Sequence, residues 1–524
     1  MLRNGGISKK EWLWAGCIAL AVLTLSSIPP GYRLSGLTYN VTDVYVYLSW
    51  MRQAADGHFF LRNLFTTEPQ VGHGFNLFFF ALGTIARITH LPLLTVFHLA
   101  RITFGTALLM AVYGFTSFWL KDPRSRRIAL LVVGLSSGLG WIFRGLKDMD
   151  APVDTWQPEA ITFLSVHCNP LFAFSLLLMV GSVHLLYRYT FTREWRYAVG
   201  AGILIMILAN VHTYDLIALA IGWASFSAYR MCRRDFRPLI GGLTAAAVAA
   251  PLVAYQAYFY MTEPVFQARA AVPTLSPNFT RYLLGYGFLI PLGLLGVYCS
   301  VRERRDTSLL VFWALAGLIA AYLPVQFQRK LIMGTHIPLS ILATLGMLYL
   351  GRTVPKKLRL DLPVMLLALT IPSNLLFLWR DFAAARHSPP SIVSPAPRVL
   401  PSQNEFFAFV RRNTDREDVI LVPPWLGLAI PAHTGRRVYC AHWAETIDYV
   451  AKAEESLAFY ASMTDQDRIE FLRQRRIRYV VECPWHAGEE AILSDFEAEK
   501  PYFLKLVFAQ EKLRLYRVLN APGG

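Results

Sequence analysis

Long apolar runs alternate with short polar or basic stretches over the first 380 residues of the chain. A helix that crosses a bilayer needs roughly 20 predominantly apolar residues, so the pattern predicts a polytopic α-helical membrane protein. The predicted spans, about eleven in number, lie near 12–31, 97–120, 128–146, 170–187, 197–210, 214–230, 238–259, 283–301, 308–323, 337–351 and 361–379. The first run follows a basic tail with no clear small-residue cleavage site after it, which favours an uncleaved span over a signal peptide.

One apolar stretch does not fit this series as a full crossing. Residues 73–88 are apolar, but counting them as a span would break the alternation of charge along the chain. We therefore predict a helix that lies in the outer interface of the membrane or dips back into the bundle.

Basic residues are distributed very unevenly between the two predicted faces of the membrane. The N-terminal tail and five short loops carry 21 Lys and Arg residues, whereas the four short loops of the opposite face carry five. Under the positive-inside rule the richer face is cytoplasmic. This predicts a multi-pass protein of a plasma (inner) membrane with a cytoplasmic N-terminus. Residues 32–96 and everything after 380 would then be extracytoplasmic.

Composition supports the membrane assignment. The chain of 524 residues is 54% hydrophobic and only 16% charged, which is less charge than a soluble protein of this length carries. A net charge of +16 could indicate a nucleic-acid partner. Because the basic residues sit in short clusters between apolar runs, we expect membrane lipids as partners and no nucleic acid.

The C-terminal quarter has a different composition. Residues 1–380 form the predicted membrane domain, and 381–400 are a Pro- and Ser-rich linker. Residues 401–524 are predicted to form an extracytoplasmic α/β domain with some parallel pairing. Its predicted elements are strands at 418–424, 436–441 and 477–484 and an amphipathic helix at 465–476.

One stretch of this C-terminal domain is rich in side chains that could bind an acceptor or a glycan. The residues concerned are His433, Arg436, His442, Trp443 and Glu445. A loop, strand and loop of the domain core is the favoured interpretation of the same stretch, with binding as the alternative.

Reactive side chains gather in the predicted outer loops, while the cytoplasmic loops are short and almost purely basic. Ionisable groups at a membrane boundary are costly unless they pair or serve a site. The first outer loop contains "DVYVYLSWMRQAADG" (43–57), in which Asp43 precedes aromatic residues at helical spacing. This sidedness is the strongest functional signal in the sequence.

The arrangement resembles the GT-C class of membrane glycosyltransferases. The shared features are one span, a long first outer loop with an early acid, many short loops and an outer soluble domain. Residues 43–57 are similar to the first-loop helix of bacterial members, and the layout is similar to bacterial protein mannosyltransferases and aminoarabinose transferases of lipid A. The resemblance implies transfer of a sugar from a polyprenyl-phosphate carrier to a lipid, glycan or protein acceptor on the outer face.

The resemblance makes Asp43 the candidate catalytic base. A carboxylate can take the proton of a hydroxyl or amine that attacks the anomeric carbon, since the leaving phosphate needs no strong acid. Tyr47 and Trp50 follow at helical spacing and could stack on a sugar. The alternative is that Thr42 caps the helix and Asp43 merely stabilises its first turn. Many GT-C members carry paired acids here. A divalent metal is an open alternative, but hard cations usually bind more than one carboxylate, so no metal ligand is assigned.

The stretch "QFQRKLIMGTH" (326–336) is the candidate phosphate site. Arg329 could clamp a carrier phosphate with its planar fork, and Lys330 could add a point charge. The alternative is that both side chains extend to lipid headgroups. Further candidate substrate contacts, in the same or neighbouring outer loops, are His336, Glu159, His212, Asp215, Glu263 and Arg269. Asp148, Asp150 and Asp154 are expected to be solvated.

Other functions satisfy part of this pattern. A transporter or flippase for a lipid-linked glycan would show polar breaks in mid-span and a repeat relating two halves, and the sequence has neither. A carrier-lipid glycan ligase makes similar demands on the outer loops and stays open. A sensor anchored by eleven spans is disfavoured by their number.

Overall fold

The computed structural model of the protein describes residues 7–25, 39–143, 145–355, 361–387, 401–483, 499, 501–510 and 513–519. Most of these residues are helical. The helices are α1 (Lys9–Leu25), α2 (Val41–Ala55), α3 (Leu77–Thr89), α4 (Leu93–Thr116), α5 (Pro123–Leu135), α6 (Thr162–Cys168), α7 (Pro170–Thr192), α8 (Trp195–Val211), α9 (Asp215–Cys232), α10 (Arg237–Thr262), α11 (Pro264–Ala271), α12 (Phe279–Tyr286), α13 (Leu289–Arg302), α14 (Ser308–Ala320), α15 (His336–Thr353), α16 (Asp361–Thr370), α17 (Pro372–His387), α18 (Pro401–Asn413), α19 (Pro424–Gly427), α20 (Ala429–Thr434), α21 (Tyr449–Ala461) and α22 (Asp465–Gln474).

Six helical segments of the described chain are long and apolar enough to cross a membrane, or seven if the bent pair α12–α13 counts as one. The six are Leu93–Thr116, Pro123–Phe143, Pro170–Thr192, Arg237–Thr262, Gln328–Thr353 and Leu362–Ala383. The protein is therefore a membrane protein. Each predicted span overlaps a helix, but the count of about eleven is not confirmed. Helices α1, α8 and α14, for example, have only 17, 17 and 13 residues. The apolar stretch 73–88, predicted to form an interfacial helix, overlaps the helix α3.

Glycines set two features of the bundle. At the 76° bend between α12 and α13, Gly287 has φ +48°, which a residue with a Cβ rarely adopts. Helices α13 and α15 cross closely: a Cβ on Gly296 would lie 2.0 Å from the Leu342 carbonyl oxygen, and one on Gly346 2.0 Å from that of Leu292. Small residues of this kind allow helices in membranes to pack backbone to backbone.

The described residues divide into two compact units. Unit 1 draws on Met1–Ile28, Phe97–Tyr258 and Pro273–Arg380. Unit 2 combines Pro29–Val96 and Phe259–Val272 with Asp381–Gly524. The first outer loop thus belongs to the same unit as the C-terminal region, and within it α2 packs against α3 and α20. Of the predicted linker, 381–387 form the end of α17 and 388–400 lie outside the described residues.

Unit 2 contains a mixed five-stranded sheet in the order β2-β1-β3-β5-β4. The strands are β1 (Val419–Leu421), β2 (Arg437–Val438), β3 (Ile477–Glu482), β4 (Leu504–Gln510) and β5 (Leu513–Val518). Strand β1 pairs in parallel with β2 and β3, whereas β5 pairs antiparallel with β3 and β4. Helices α21 and α22 cover it through buried aromatic residues such as Phe459 and Phe471. The predicted parallel pairing is present in this C-terminal sheet, and the hairpin β4–β5 adds two antiparallel strands.

Candidate functional site

Asp43 lies in the first turn of α2, and a nearby asparagine shapes that turn. The helix begins at Val41, with Asn40 in the left-handed region at φ 52°, where Asn is tolerated better than most residues. Asn40 Nδ2 donates to Asp43 Oδ2 at 2.7 Å. Thr42 is therefore inside the helix, and the expectation that it caps α2 is wrong.

A histidine of the C-terminal region holds the other oxygen of Asp43. His442 Nε2 lies 3.2 Å from Asp43 Oδ1. Nδ1 of the same ring accepts the backbone N–H groups of Ala444 and Glu445, at 3.0 and 3.2 Å. Because Nδ1 is occupied as an acceptor, the ring proton is on Nε2 and is donated to Asp43. The pair is thus a hydrogen bond from a neutral imidazole to a carboxylate.

The two members of this pair differ sharply in exposure. His442 has 1% of its side-chain surface exposed, whereas Asp43 has 37%. The loop around His442 is fixed by Thr446, whose Oγ1 accepts from the N–H of Ala441 and His442 and donates to the Phe65 carbonyl. A buried, rigid donor therefore orients an accessible carboxylate.

Glu445, three residues after His442, binds a second candidate from the sequence. Its carboxylate is 3% exposed and lies 2.6 Å from Arg269 Nε. Asn63 Nδ2 donates to the second oxygen at 3.1 Å. The Arg269 guanidinium also lies 5.3 Å from the centre of the Trp50 ring, within cation–π range. Arg269 thus ties α11 to the loop that carries His442.

Three other sequence candidates of unit 2 make contacts within the unit. Tyr47 stacks on Phe79 at 4.9 Å between ring centres, and Trp50 lies 5.3 Å from the same ring. Both rings are buried. Glu263 is also buried, and its Oε2 accepts the backbone N–H groups of Val71 and Gly72 at 2.9 and 3.1 Å. These contacts fix α2, α3 and the loop before α3.

The candidate phosphate ligands lie in unit 1, each against an aromatic ring. The Arg329 guanidinium is 5.3 Å from the centre of the Trp156 ring, and Lys330 Nζ is 4.5 Å from that of Tyr214. Both cations are partly exposed. Gln157 Nε2 donates to the Arg329 carbonyl at 3.1 Å, which joins the 156–159 loop to the basic pair.

The acids and histidines predicted in unit 1 are largely buried. His212 Nδ1 lies 3.0 Å from Asp215 Oδ2, and Asp215 also accepts from the Ser175 hydroxyl. Both residues flank Tyr214, the ring under Lys330. Glu159 is buried three residues after Trp156, the ring under Arg329. The His212 ring lies 5.7 Å from the centre of the Tyr214 ring, so the pair of His212 and Asp215 lies beside the ring that contacts Lys330.

Two further acid and histidine positions are internal. His336 is buried, with Nδ1 3.0 Å from Thr162 Oγ1 and Nε2 3.3 Å from Ser136 Oγ. Asp154 accepts the N–H groups of Gly138 and Gly140, and burial raises its pKa to about 6. The expectation that Asp154 is solvated is wrong, because its carboxylate closes a turn inside unit 1. Asp150 is exposed, as expected.

The fold is similar to those of two solved glycosyltransferases, which confirms the resemblance to the GT-C class predicted from the sequence. The structure is similar to the oligosaccharyltransferase of Archaeoglobus fulgidus, solved in complex with Zn and sulfate, with a TM-score of 0.51 and 14% identity over 97% of this chain and 73% of that one. It is also similar to the arabinofuranosyltransferase AftD from Mycobacteria, with a TM-score of 0.59 and 14% identity over 98% of this chain.

The two matches cover different shares of the neighbouring chains. This chain spans only 40% of the length of the arabinofuranosyltransferase. No family model and no curated protein matches the sequence. The comparisons therefore define the fold, and the activity has to be argued from the residues.

The residues at Asp43 do not fit a divalent metal. Among the described residues, no group of three or more His, Cys, Asp or Glu side chains is placed to hold one. The nearest candidate ligand, His442, has a proton on Nε2 and two backbone donors on Nδ1, so it offers no lone pair. Hard cations also prefer several oxygen ligands, and Asp43 is a single carboxylate.

Proposed function

We propose that this protein is an integral-membrane glycosyltransferase that moves a sugar from a polyprenyl-phosphate carrier to an acceptor on the outer face of the membrane. The proposal rests on the environment of Asp43. Its carboxylate is accessible in the first turn of α2 and is oriented by Asn40 and by the buried His442. The GT-C fold supports the same reaction class by analogy.

Asp43 would act as general base. As the acceptor oxygen or nitrogen attacks the anomeric carbon, its proton passes to the Asp43 carboxylate. The bond between the anomeric carbon and the carrier phosphate breaks, and its electron pair leaves with the phosphate oxygen. Proton transfer to a positioned group of this kind accelerates reactions by about 10²- to 10⁴-fold. His442 would keep Asp43 in the orientation that receives the proton.

Arg329 and Lys330 are the proposed ligands of the carrier phosphate. Their cations would stabilise charge as it develops on the leaving group. Stacking on Trp156 and Tyr214 restricts both side chains, so less freedom is lost when an anion binds. His212 and Asp215 pair with each other beside Tyr214. Together with Glu159 they are the candidates for contact with the sugar.

The remaining sequence candidates receive no substrate contact in this proposal. His336, Tyr47, Trp50, Glu263 and Arg269 are engaged by protein groups that position helices and loops. Their role would be to support the site.

The distribution of basic residues supports a plasma (inner) membrane location with the N-terminus in the cytoplasm. With 21 Lys and Arg residues on one predicted face and five on the other, Asp43 and the C-terminal region would be extracytoplasmic. A lipid-linked sugar would then meet its lipid, glycan or protein acceptor outside the cell.

The test is transfer of label by the purified protein. Full-length protein in detergent is incubated with a radiolabelled polyprenyl-phosphate sugar and a membrane extract as the source of acceptor. We expect label to move to an acceptor and free polyprenyl phosphate to be released. Asp43→Asn should reduce this at least about 100-fold with unchanged thermal stability. Full activity of Asp43→Asn would remove the base assignment. In proteoliposomes, movement of intact substrate without bond cleavage would instead identify a transporter.

A further inference from the structure

Unit 2 contains a cavity that the proposed reaction does not use. Its volume is about 390 Å³, within the usual range of ligand pockets. The charged and titratable lining residues are Arg87, Arg411, Arg416, Arg436, His58 and Asp56. They come from α3, from the loop after α2, from the last turn of α18 and from the segments that follow α18 and α20.

Positive charge in this cavity exceeds negative charge. The lining described above contains four guanidinium groups and one carboxylate, Asp56. That carboxylate is already shared: Arg411 Nη2 lies 2.5 Å from Asp56 Oδ1, and Arg52 Nη1 approaches the same oxygen at 3.7 Å. Arg416 Nη1 lies 3.0 Å from His58 Nδ1, which is a neutral partner. The arginines are therefore only partly neutralised.

Burial and neighbouring cations lower the pKa of groups in and beside the cavity. Burial, and then the neighbouring Arg62, lower the pKa of Arg416. Burial, and then Arg411, lower the pKa of Arg52. Burial and then Arg416 likewise lower the pKa of His58. A bound anion would relieve this repulsion, because an opposite charge at a few ångströms favours the charged form of each group.

Hydrogen bonds and a glycine hold the segment that carries Arg436 at the edge of the cavity. Arg436 Nε donates to Thr414 Oγ1 at 2.9 Å, and its Nη2 donates to the carbonyl groups of Arg411 and Thr414, both at 2.7 Å. Gly435 has φ +71°, and a Cβ there would lie 3.2 Å from Asp56 Oδ2. The segment that carries Arg436 is thus held in place before a ligand binds, which lowers the entropic cost of binding.

We propose that this arginine cavity is a binding site for the phosphate group of a ligand. Guanidinium forks match the geometry of phosphate oxygens, and several cations around one concave site favour a dianion over a monovalent carboxylate. Two sources share this chemistry: the headgroup of a prenyl phosphate and a phosphorylated sugar. Binding here requires neither Asp43 nor sugar transfer, so the site stands apart from the proposed reaction.

Calorimetric titration of the full-length protein in detergent tests this site. The probes are inorganic phosphate, dimethylallyl phosphate, glucose 6-phosphate and glucuronate. We expect saturable binding of the phosphates, at least tenfold weaker in Arg416→Gln and in Arg87→Gln. The matched control is Arg473→Gln, since Arg473 is an exposed arginine of the same unit paired with Glu470. Its affinity should equal that of the wild type.

The relative affinities of the probes and the effects of the two lining variants decide whether the site binds phosphate and from which source. Tighter binding of dimethylallyl phosphate than of glucose 6-phosphate supports the site with a lipid source, and the reverse order supports it with a glycan source. Glucuronate bound as tightly as glucose 6-phosphate would overturn the assignment to phosphate. Phosphate binding that is absent, or unchanged in both lining variants with wild-type thermal unfolding, would overturn the site. The two variants also guard against misfolding of either one, and transfer activity of Asp43→Asn is measured separately.

Discussion

His442 donates from Nε2 to Asp43 Oδ1 across 3.2 Å, although 399 residues separate the two in sequence. The donor is fixed by two backbone amides on its other nitrogen, and the acceptor is partly open to solvent. The C-terminal region therefore contributes directly to the candidate catalytic group of the first outer loop. It is a structural part of the site rather than an appended module.

This relationship predicts a positioning role for His442. Replacing it with alanine removes the donor that orients Asp43, so kcat for sugar transfer should fall about 10- to 100-fold with little change in KM. His442→Gln can still donate an N–H and should recover most of the loss. The measurement is steady-state transfer by both variants across a pH series. Equal kcat and equal pH profiles for His442→Ala and the wild type would contradict the role.

The pair of Arg269 and Glu445 predicts a stability effect. Arg269→Gln leaves the nearly buried Glu445 carboxylate without its charged partner, so the protein should lose about 2 kcal/mol of stability. Thermal unfolding in detergent measures the loss. In Arg269→Gln/Glu445→Gln the unpaired charge is gone, and the double variant should be less destabilised than the sum of the single variants. Strict additivity would show that the two side chains do not interact.

The membrane part of the fold was largely predictable because its signals are local. Each apolar run that was predicted as a span overlaps a helix of the structure. The number of spans was less predictable. A hydropathy pattern does not distinguish a full crossing from a short helix such as α14, whose 13 residues are apolar throughout.

The site was predictable only in part. Asp43 stood out because a lone acid precedes an aromatic helix, but its partner is set by long-range packing. His442 was recognisable as a candidate in a polar stretch, and nothing local indicated that its ring faces Asp43. Tyr47 and Trp50 show the opposite case: helical spacing put them on one face, and only the structure shows Phe79 on that face. The arginine cavity combines residues between 53 and 436, which no sequence window contains.

His433 predicts a pH dependence of stability. Its ring stacks on Phe407 at 4.5 Å, and burial followed by the nearby Arg52 lowers its pKa to about 4. Since a histidine in the unfolded chain has a pKa of about 6.5, the unfolded state binds an extra proton between these values. Stability should therefore fall as pH decreases from about 6.5 to 4, by up to about 3 kcal/mol from this group.

The variant that isolates this effect is His433→Phe, which keeps an aromatic ring on Phe407 and cannot titrate. Unfolding temperatures of both proteins are compared from pH 4.5 to 7.5. The difference between them should shrink or change sign in favour of the variant as the pH falls. Parallel curves would show that His433 is not the titrating group.

The close crossing of α13 and α15 predicts opposite effects for two glycines of one helix. A Cβ on Gly346 would lie 2.0 Å from the Leu292 carbonyl oxygen, whereas a Cβ on Gly351 has no neighbour within 4 Å. Gly346→Ala should therefore force the helices apart and cost about 1–3 kcal/mol, measured by thermal unfolding in detergent. Gly351→Ala, the matched control, should be neutral or stabilising by up to about 1 kcal/mol because alanine favours the helix. Equal stability of the two variants would rule out the backbone-to-backbone contact.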